Sequence, residues 1–167
     1  MKNDFSNLRN FGNEEYNVLY LPKLTKEYEA VVDIAIDTSG STDEYIPMFL
    51  THIKHITELS NISGKIIYCS SEISKVSDYP PFKIEKNITS GSTDFEPVFR
   101  WIRNKQSDDI DALVYLTDGF ANSGLMYPQS APPYPVLWVV IPNEGETNND
   151  VRNRMVKWGD ILLLRNE

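Results

Sequence analysis

Three short polar stretches hold the residues of this chain whose types and spacing could do chemistry. The first, Asp37-Thr38-Ser39-Gly40-Ser41, follows the apolar run Val31-Val32-Asp33-Ile34-Ala35-Ile36. A carboxylate and two serine hydroxyls at alternate positions thus stand where a buried strand should end. The second, Gly91-Ser92-Thr93-Asp94, opens an amphipathic stretch, and the third, Thr117-Asp118-Gly119, closes another apolar run. In a parallel sheet, strand ends and the helix starts that follow them share one edge, and ligands bind outside that edge. Together the stretches supply two carboxylates and several neutral hydroxyls, with no histidine or thiol. That hard-oxygen set suits Mg²⁺ or Mn²⁺ and not zinc or copper. Two carboxylates balance a divalent charge, and hydroxyls and waters can fill the remaining octahedral positions.

The elements that would position these residues can be read from periodicity. The near-unbroken apolar run 31–36 suits a central parallel strand covered on both faces. A helix is expected from about Thr42 to Ser60, with Ile46, Phe49, Leu50, Ile53, Ile56 and Thr57 on one face. Ser41 and Glu44 have capping-box spacing, and the stretch Asn61 to Gly64 should end the helix. A second strand covers 66–69, and 73–79 can pair beside it as a hairpin or edge strand before Pro80-Pro81. A second helix carries Phe95, Val98, Phe99 and Ile102 on one face, with Thr93 and Glu96 again at capping-box spacing. Buried strands follow at 112–117 and 136–141, separated by a stretch with four prolines that reads as an extended crossover. Asn149 or Asp150 can cap a short helix bearing Val151, Met155 and Trp158, and 161–164 closes as a last strand. Alternating strands and amphipathic helices imply an α/β domain, a doubly wound and mostly parallel sheet with helices on both faces. Residues 1–29, polar with scattered aromatics, are expected to be a partly ordered arm preceding a domain over 30–167.

Bulk properties narrow the function classes. At 167 residues the chain suits one domain with its own core. A net charge of −8 and a pI near 4.8 argue against nucleic-acid or anionic-membrane surfaces, which need clustered Lys and Arg. The one cysteine, Cys69, suits a reducing compartment, and neither an apolar leader nor a membrane-length run is present, so the cytoplasm is the default expectation.

The combination of Asp37-x-Ser39-x-Ser41, a later threonine (Thr93) and a strand-ending Asp118-Gly119 resembles the metal-ion-dependent adhesion site of von Willebrand factor A (VWA) domains. Three longer stretches are similar to the VWA-like domain of a bacterial family named for metallopeptidase activity and associated with MoxR-type AAA+ ATPases. They are Ile36-Asp37-Thr38-Ser39-Gly40-Ser41, Gly91-Ser92-Thr93-Asp94-Phe95-Glu96-Pro97-Val98-Phe99, and Ala131-Pro132-Pro133-Tyr134-Pro135-Val136-Leu137-Trp138-Val139-Val140. The resemblance covers roughly residues 31–164 and implies a Rossmann-like VWA fold. It implies that Ser39, Ser41 and Thr93 contact Mg²⁺ (or Mn²⁺) through their hydroxyls, while Asp37 and Asp118 act directly or through water. One coordination position is left for an Asp or Glu of a partner protein, and a MoxR-type AAA+ ATPase is the partner the resemblance suggests. The expected function is therefore non-catalytic, metal-dependent protein binding.

The sequence departs from the pattern in places. Cys69-Ser70-Ser71 stands where relatives tend to carry an acidic residue after the cysteine, and Ser92 stands where a glycine is expected. Thr89, Ser90 and Ser92 therefore compete with Thr93 as the ligand. The helical signature His-Glu-x-x-His is absent, so peptidase chemistry does not carry over. Among plainer readings, a tight turn capped by Ser41 explains that serine but not the convergence of Asp37, Ser39, Thr93 and Asp118. Helix capping accounts for Thr93 taken singly. His52 and His55 fall beside the apolar stripe and read as a solvated face, as do Arg100, Arg103 and Lys105 at a helix end. Cys69 reads as a small buried hydrophobe, and Trp101, Trp138 and Trp158 as packing residues. The alternative function is Mg²⁺-dependent phosphoryl transfer by Asp37, although Ser39 stands where such hydrolases want a second Asp. A phosphate cradle at Thr38 to Thr42 is opposed by Asp37, Asp43 and Glu44.

Overall fold

The computed structural model describes residues 29–79, 91–105, 110–121 and 127–165. Six strands, β1 (Ala30–Asp37), β2 (Ile62–Cys69), β3 (Ile73–Tyr79), β4 (Ala112–Thr117), β5 (Val136–Val140) and β6 (Asp160–Leu163), form one sheet in the order β3-β2-β1-β4-β5-β6. Every neighbouring pair is parallel except β2 and β3. The order reverses direction between β1 and β4, and the carboxyl ends at such a switch point form the ligand crevice of doubly wound sheets. Asp37 ends β1 and Thr117 ends β4, so the two strands of the crevice deliver the first and third polar stretches.

Both faces are covered. Phe49, Leu50 and Ile53 of α1 (Ile46–Leu59) pack with Ile34, Ile36, Ile66, Tyr68 and Leu116 on one face. Val98, Phe99 and Ile102 of α2 (Glu96–Asn104) and Val151 of α3 (Asn148–Arg154) pack with Ala35, Ile67, Leu113, Tyr115 and Trp138 on the other. Strict alternation along β1 and β2 therefore feeds two separate cores from one strand. On the second face, fully buried Trp138 has the rings of Phe95, Phe99, Tyr115 and Trp158 within 5.2 to 5.9 Å of its own. Offset and edge-on pairs of this kind add about 0.5–1.5 kcal/mol each beyond the area they bury. The tryptophans are thus packing residues, Cys69 is buried, and His52 and His55 are exposed, as their positions suggested.

Several local expectations are corrected. The first helix starts as a 3₁₀ turn at Asp43–Tyr45 with no side-chain cap, because Thr42 turns its hydroxyl back onto the carbonyls of Asp37 and Ser39 and leaves Ser41 exposed. Ile56, on the edge of the apolar stripe, is 45% exposed. At α2 the Glu96 amide donates to Asp94 Oδ1, so the capping role assigned to Thr93 belongs to its neighbour. Thr147, not Asn149 or Asp150, caps α3 through a reciprocal box with Asp150. Gly64 does not end a helix; it lies within β2, opposite Tyr79, where a Cβ would strike the Val32 carbonyl. The Tyr79 hydroxyl crosses that gap and donates to the same carbonyl, tying edge strand β3 to central β1. Lys105 is not a solvated helix end: its ammonium lies 3.6 Å from the fully buried Asp33 carboxylate and 5.3 Å from the Trp101 ring. The expected arm at 1–29, except its last residue, and the competing hydroxyls Thr89 and Ser90 lie outside the described residues, as do Pro80 and Pro81 and part of the crossover. Among the described residues, no helix is long and apolar enough to cross a membrane.

Candidate metal centre

At the end of β1 the chain folds into a turn held by its own polar groups. The Asp37 carboxylate is fully buried; Oδ1 accepts from the Ser39 amide at 2.9 Å and Oδ2 from the Thr117 hydroxyl at 2.6 Å. Ser39 is buried, and its Oγ stands 3.2 Å from Ser41 Oγ and 3.5 Å from Thr42 Oγ1. Thr117 also accepts from the Gly119 amide, so one hydroxyl couples the ends of β1 and β4 across the switch point. Asp118, 7% exposed, accepts from the Phe120 amide through Oδ1. Burial pushes the Asp37 carboxyl up to about 6, against the opposing hydrogen bonds from Thr117 and Ser39, and the charge of Asp118 adds to the rise.

The Asp118 loop is braced from the end of α3. Arg154, at the end of α3, makes a two-point ion pair with Glu146 at 2.7 and 2.9 Å. The same guanidinium donates to the carbonyls of Gly119 (2.6 Å) and Asp118 (3.1 Å). The Tyr127 hydroxyl donates to Gly119 O and accepts from the Ala121 amide. Gly119 adopts φ +75°, and a Cβ there would come within 2.6 Å of both Arg154 and Met155. Only glycine suits that conformation and that closeness.

Thr93 is buried at the same edge. Its loop is tethered to the end of β2, where the Asp94 amide donates to Ser70 O and the Cys69 thiol faces Asp94 O. The hydrogen bonds of the described residues thus join Asp37, Ser39 and Ser41 to one another and, through Thr117, to the Asp118 loop. Thr93 is buried at that edge, and among the described residues no hydrogen bond joins it to that network. Sequence reasoning missed the supports Thr42, Thr117, Tyr127, Glu146 and Arg154.

The residues present fit a hard divalent cation. Among the described residues no Lys, Arg or His pairs with the carboxylate of Asp37 or Asp118; their donors are neutral amides and a hydroxyl. Among the described residues the two buried carboxylates thus have hydrogen-bond donors but no counter-charge, an arrangement with room for a cation. The Ser39–Ser41 oxygen separation is close to the ~3 Å between neighbouring ligands of an octahedron with ~2.1 Å bonds. Among the described residues no group of three or more His, Cys, Asp or Glu clusters to hold a metal, so a cation here would depend on the hydroxyls; as a soft ligand Cys69 is unsuited, since burial pushes its thiol up to about 12. A cavity of about 640 Å³ lies elsewhere, between α2 and the proline-rich crossover, with Phe99, Ile102 and Tyr134 in its wall.

This arrangement can be set beside known proteins. The family model described as VWA-like domain (DUF2201) matches residues 32–164. The chain belongs to that VWA-like family. The match runs from β1 through the residue after β6, so the VWA-like unit contains all three loops of the edge. No curated protein matches the chain. Among solved structures, the VWA-like domain is similar to the crystal structure of the ArnB paralog VWA2 from Sulfolobus acidocaldarius, at 14% identity and a TM-score of 0.49. That alignment covers 68% of this chain and 34% of the other, so this chain spans about a third of that structure's length.

Proposed function

We propose that this VWA-like domain is a non-catalytic protein-binding module whose site is completed by Mg²⁺ (or Mn²⁺) and by an acidic side chain of its partner. The observation that carries the reading is the pair of buried strand-end carboxylates, Asp37 and Asp118, beside the paired hydroxyls of Ser39 and Ser41 and without a cationic partner among the described residues. In this reading Ser39, Ser41 and Thr93 present hydroxyl oxygens. Asp37 is held with both oxygens hydrogen-bonded, which suits contact through water more than nucleophilic attack. Thr117 fixes its rotamer, and the Arg154–Glu146 pair keeps the Asp118 loop at its place on the edge. When bound, the cation supplies an electrophilic position that neutral hydroxyl ligands do not quench, and a partner Asp or Glu can take it.

A MoxR-type AAA+ ATPase is the partner proposed from the family resemblance, in a cytoplasmic setting consistent with a single buried cysteine. Isothermal titration with Mg²⁺ tests the site: the native chain should take up one equivalent of metal and Asp37→Ala none. Equal uptake by both would overturn the site. Pull-down of the ATPase with and without EDTA then tests the partner.

A further inference from the structure

Beside the candidate metal centre stands an aromatic side chain that the core does not use. Phe120 is 42% exposed, while Phe95, Tyr115 and Trp138 on the same face of the sheet are buried. It is nevertheless held in place. Its amide donates to Asp118 Oδ1 at 3.0 Å, and the Arg154 guanidinium lies 3.9 Å from its ring centroid. Arg154 is itself fixed by Glu146 and by the Gly119 and Asp118 carbonyls. The ring thus rests against a fixed guanidinium with nearly half its surface exposed. Rigid, part-exposed aromatics beside a polar centre are what interface anchors are made of, because little side-chain freedom remains to be lost on binding.

The rim also limits what can approach. Asp43 and Glu44 are exposed at the start of the 3₁₀ turn, and the whole chain carries a net charge of −8. A run of acidic residues would be repelled, so the carboxylate that reaches the metal should come from a segment otherwise apolar or basic.

We propose that Phe120, braced by Arg154, selects the partner: an Asp or Glu flanked by a large apolar residue, the acid completing the metal shell and the apolar side chain packing on the Phe120 ring. This rests on the metal-dependent binding proposed above. The experiment pans phage-displayed random peptides on the full chain in Mg²⁺ and elutes with EDTA, using native protein, Phe120→Ala and Phe120→Trp. Mg²⁺ uptake of each protein is measured by calorimetry alongside. EDTA-eluted peptides from the native protein should carry an acidic residue with an apolar neighbour. On Phe120→Ala the acidic residue should persist, the apolar preference should vanish, and a selected peptide should bind about tenfold more weakly or worse. Phe120→Trp should restore the preference, and Mg²⁺ uptake should be the same for all three. Identical peptide preference and affinity on native and Phe120→Ala, with metal uptake intact, would overturn this inference alone. Peptides that resist EDTA, or a native chain that takes up no Mg²⁺, would overturn the underlying reading with it.

Discussion

Asp33 and Asp37 are both fully buried on β1, four residues apart and on the same face of the sheet. At Asp33 one oxygen accepts the Lys65 amide and the other faces the Lys105 ammonium. At Asp37 both donors are neutral. A carboxylate balanced from within the fold belongs to the architecture, whereas one left unbalanced at a strand end, beside a second carboxylate, calls for a charge from outside. Burial raises the proton affinity of both groups, and among the described residues cations oppose it at Asp33 alone.

The comparison breaks first at its structural half. Lys105→Met leaves Asp33 buried without its counter-charge and should cost roughly 3–5 kcal/mol in urea unfolding, with Mg²⁺ uptake unchanged. Adding Asp33→Asn should recover most of that loss. Full stability in the single variant would show that the pair is not what balances Asp33.

The functional half should show in pH dependence. The Asp37 carboxyl, pushed up from 3.8 to about 6, binds more protons in the folded than in the unfolded chain between those values. Stability of the metal-free protein should therefore fall as pH rises from about 4 to about 6, by up to about 3 kcal/mol, and stay low above that. Asp37→Asn should reduce the slope to the part that Asp33 contributes, and Mg²⁺ should restore the native chain above the upper value. Urea titrations in EDTA across this range check it; a native slope matching that of Asp37→Asn would remove the distinction between the two aspartates.

The finest contrast concerns support rather than charge. Thr117→Val removes the donor to Asp37 Oδ2 and the acceptor of the Gly119 amide, and should weaken Mg²⁺ binding about tenfold with the fold intact. Unchanged affinity by calorimetry would mean that Asp37 keeps its orientation without help from β4.

What could be read from the sequence was what is local. An apolar run ending in Asp37-Thr38-Ser39-Gly40-Ser41 marks a strand end in any window that contains it, and the same is true of Thr117-Asp118-Gly119. The strands and the buried faces of α1 and α2 followed from periodicity. The supports did not, because they join distant segments: Thr117 reaches Asp37 across 80 residues, and Arg154 reaches Gly119 across 35. Spacing misled where two groups compete for one role. Ser41 and Glu44 have the right separation for a capping box, but the Thr42 hydroxyl takes the nearby carbonyls and sets the turn. Lys105 reads as a solvated helix end because nothing within α2 announces a buried acid on β1.

The strand order carries a mechanical consequence. β1 is hydrogen-bonded in parallel to β2 on one side and β4 on the other, and the Tyr79 hydroxyl adds a tie from β3. A load applied at the carboxyl end of β1, where a bound partner would pull, runs along the strand and shears both ladders together. No edge is offered from which bonds could open one after another. Tension at this point is borne by the centre of the sheet, where two ladders must give way together.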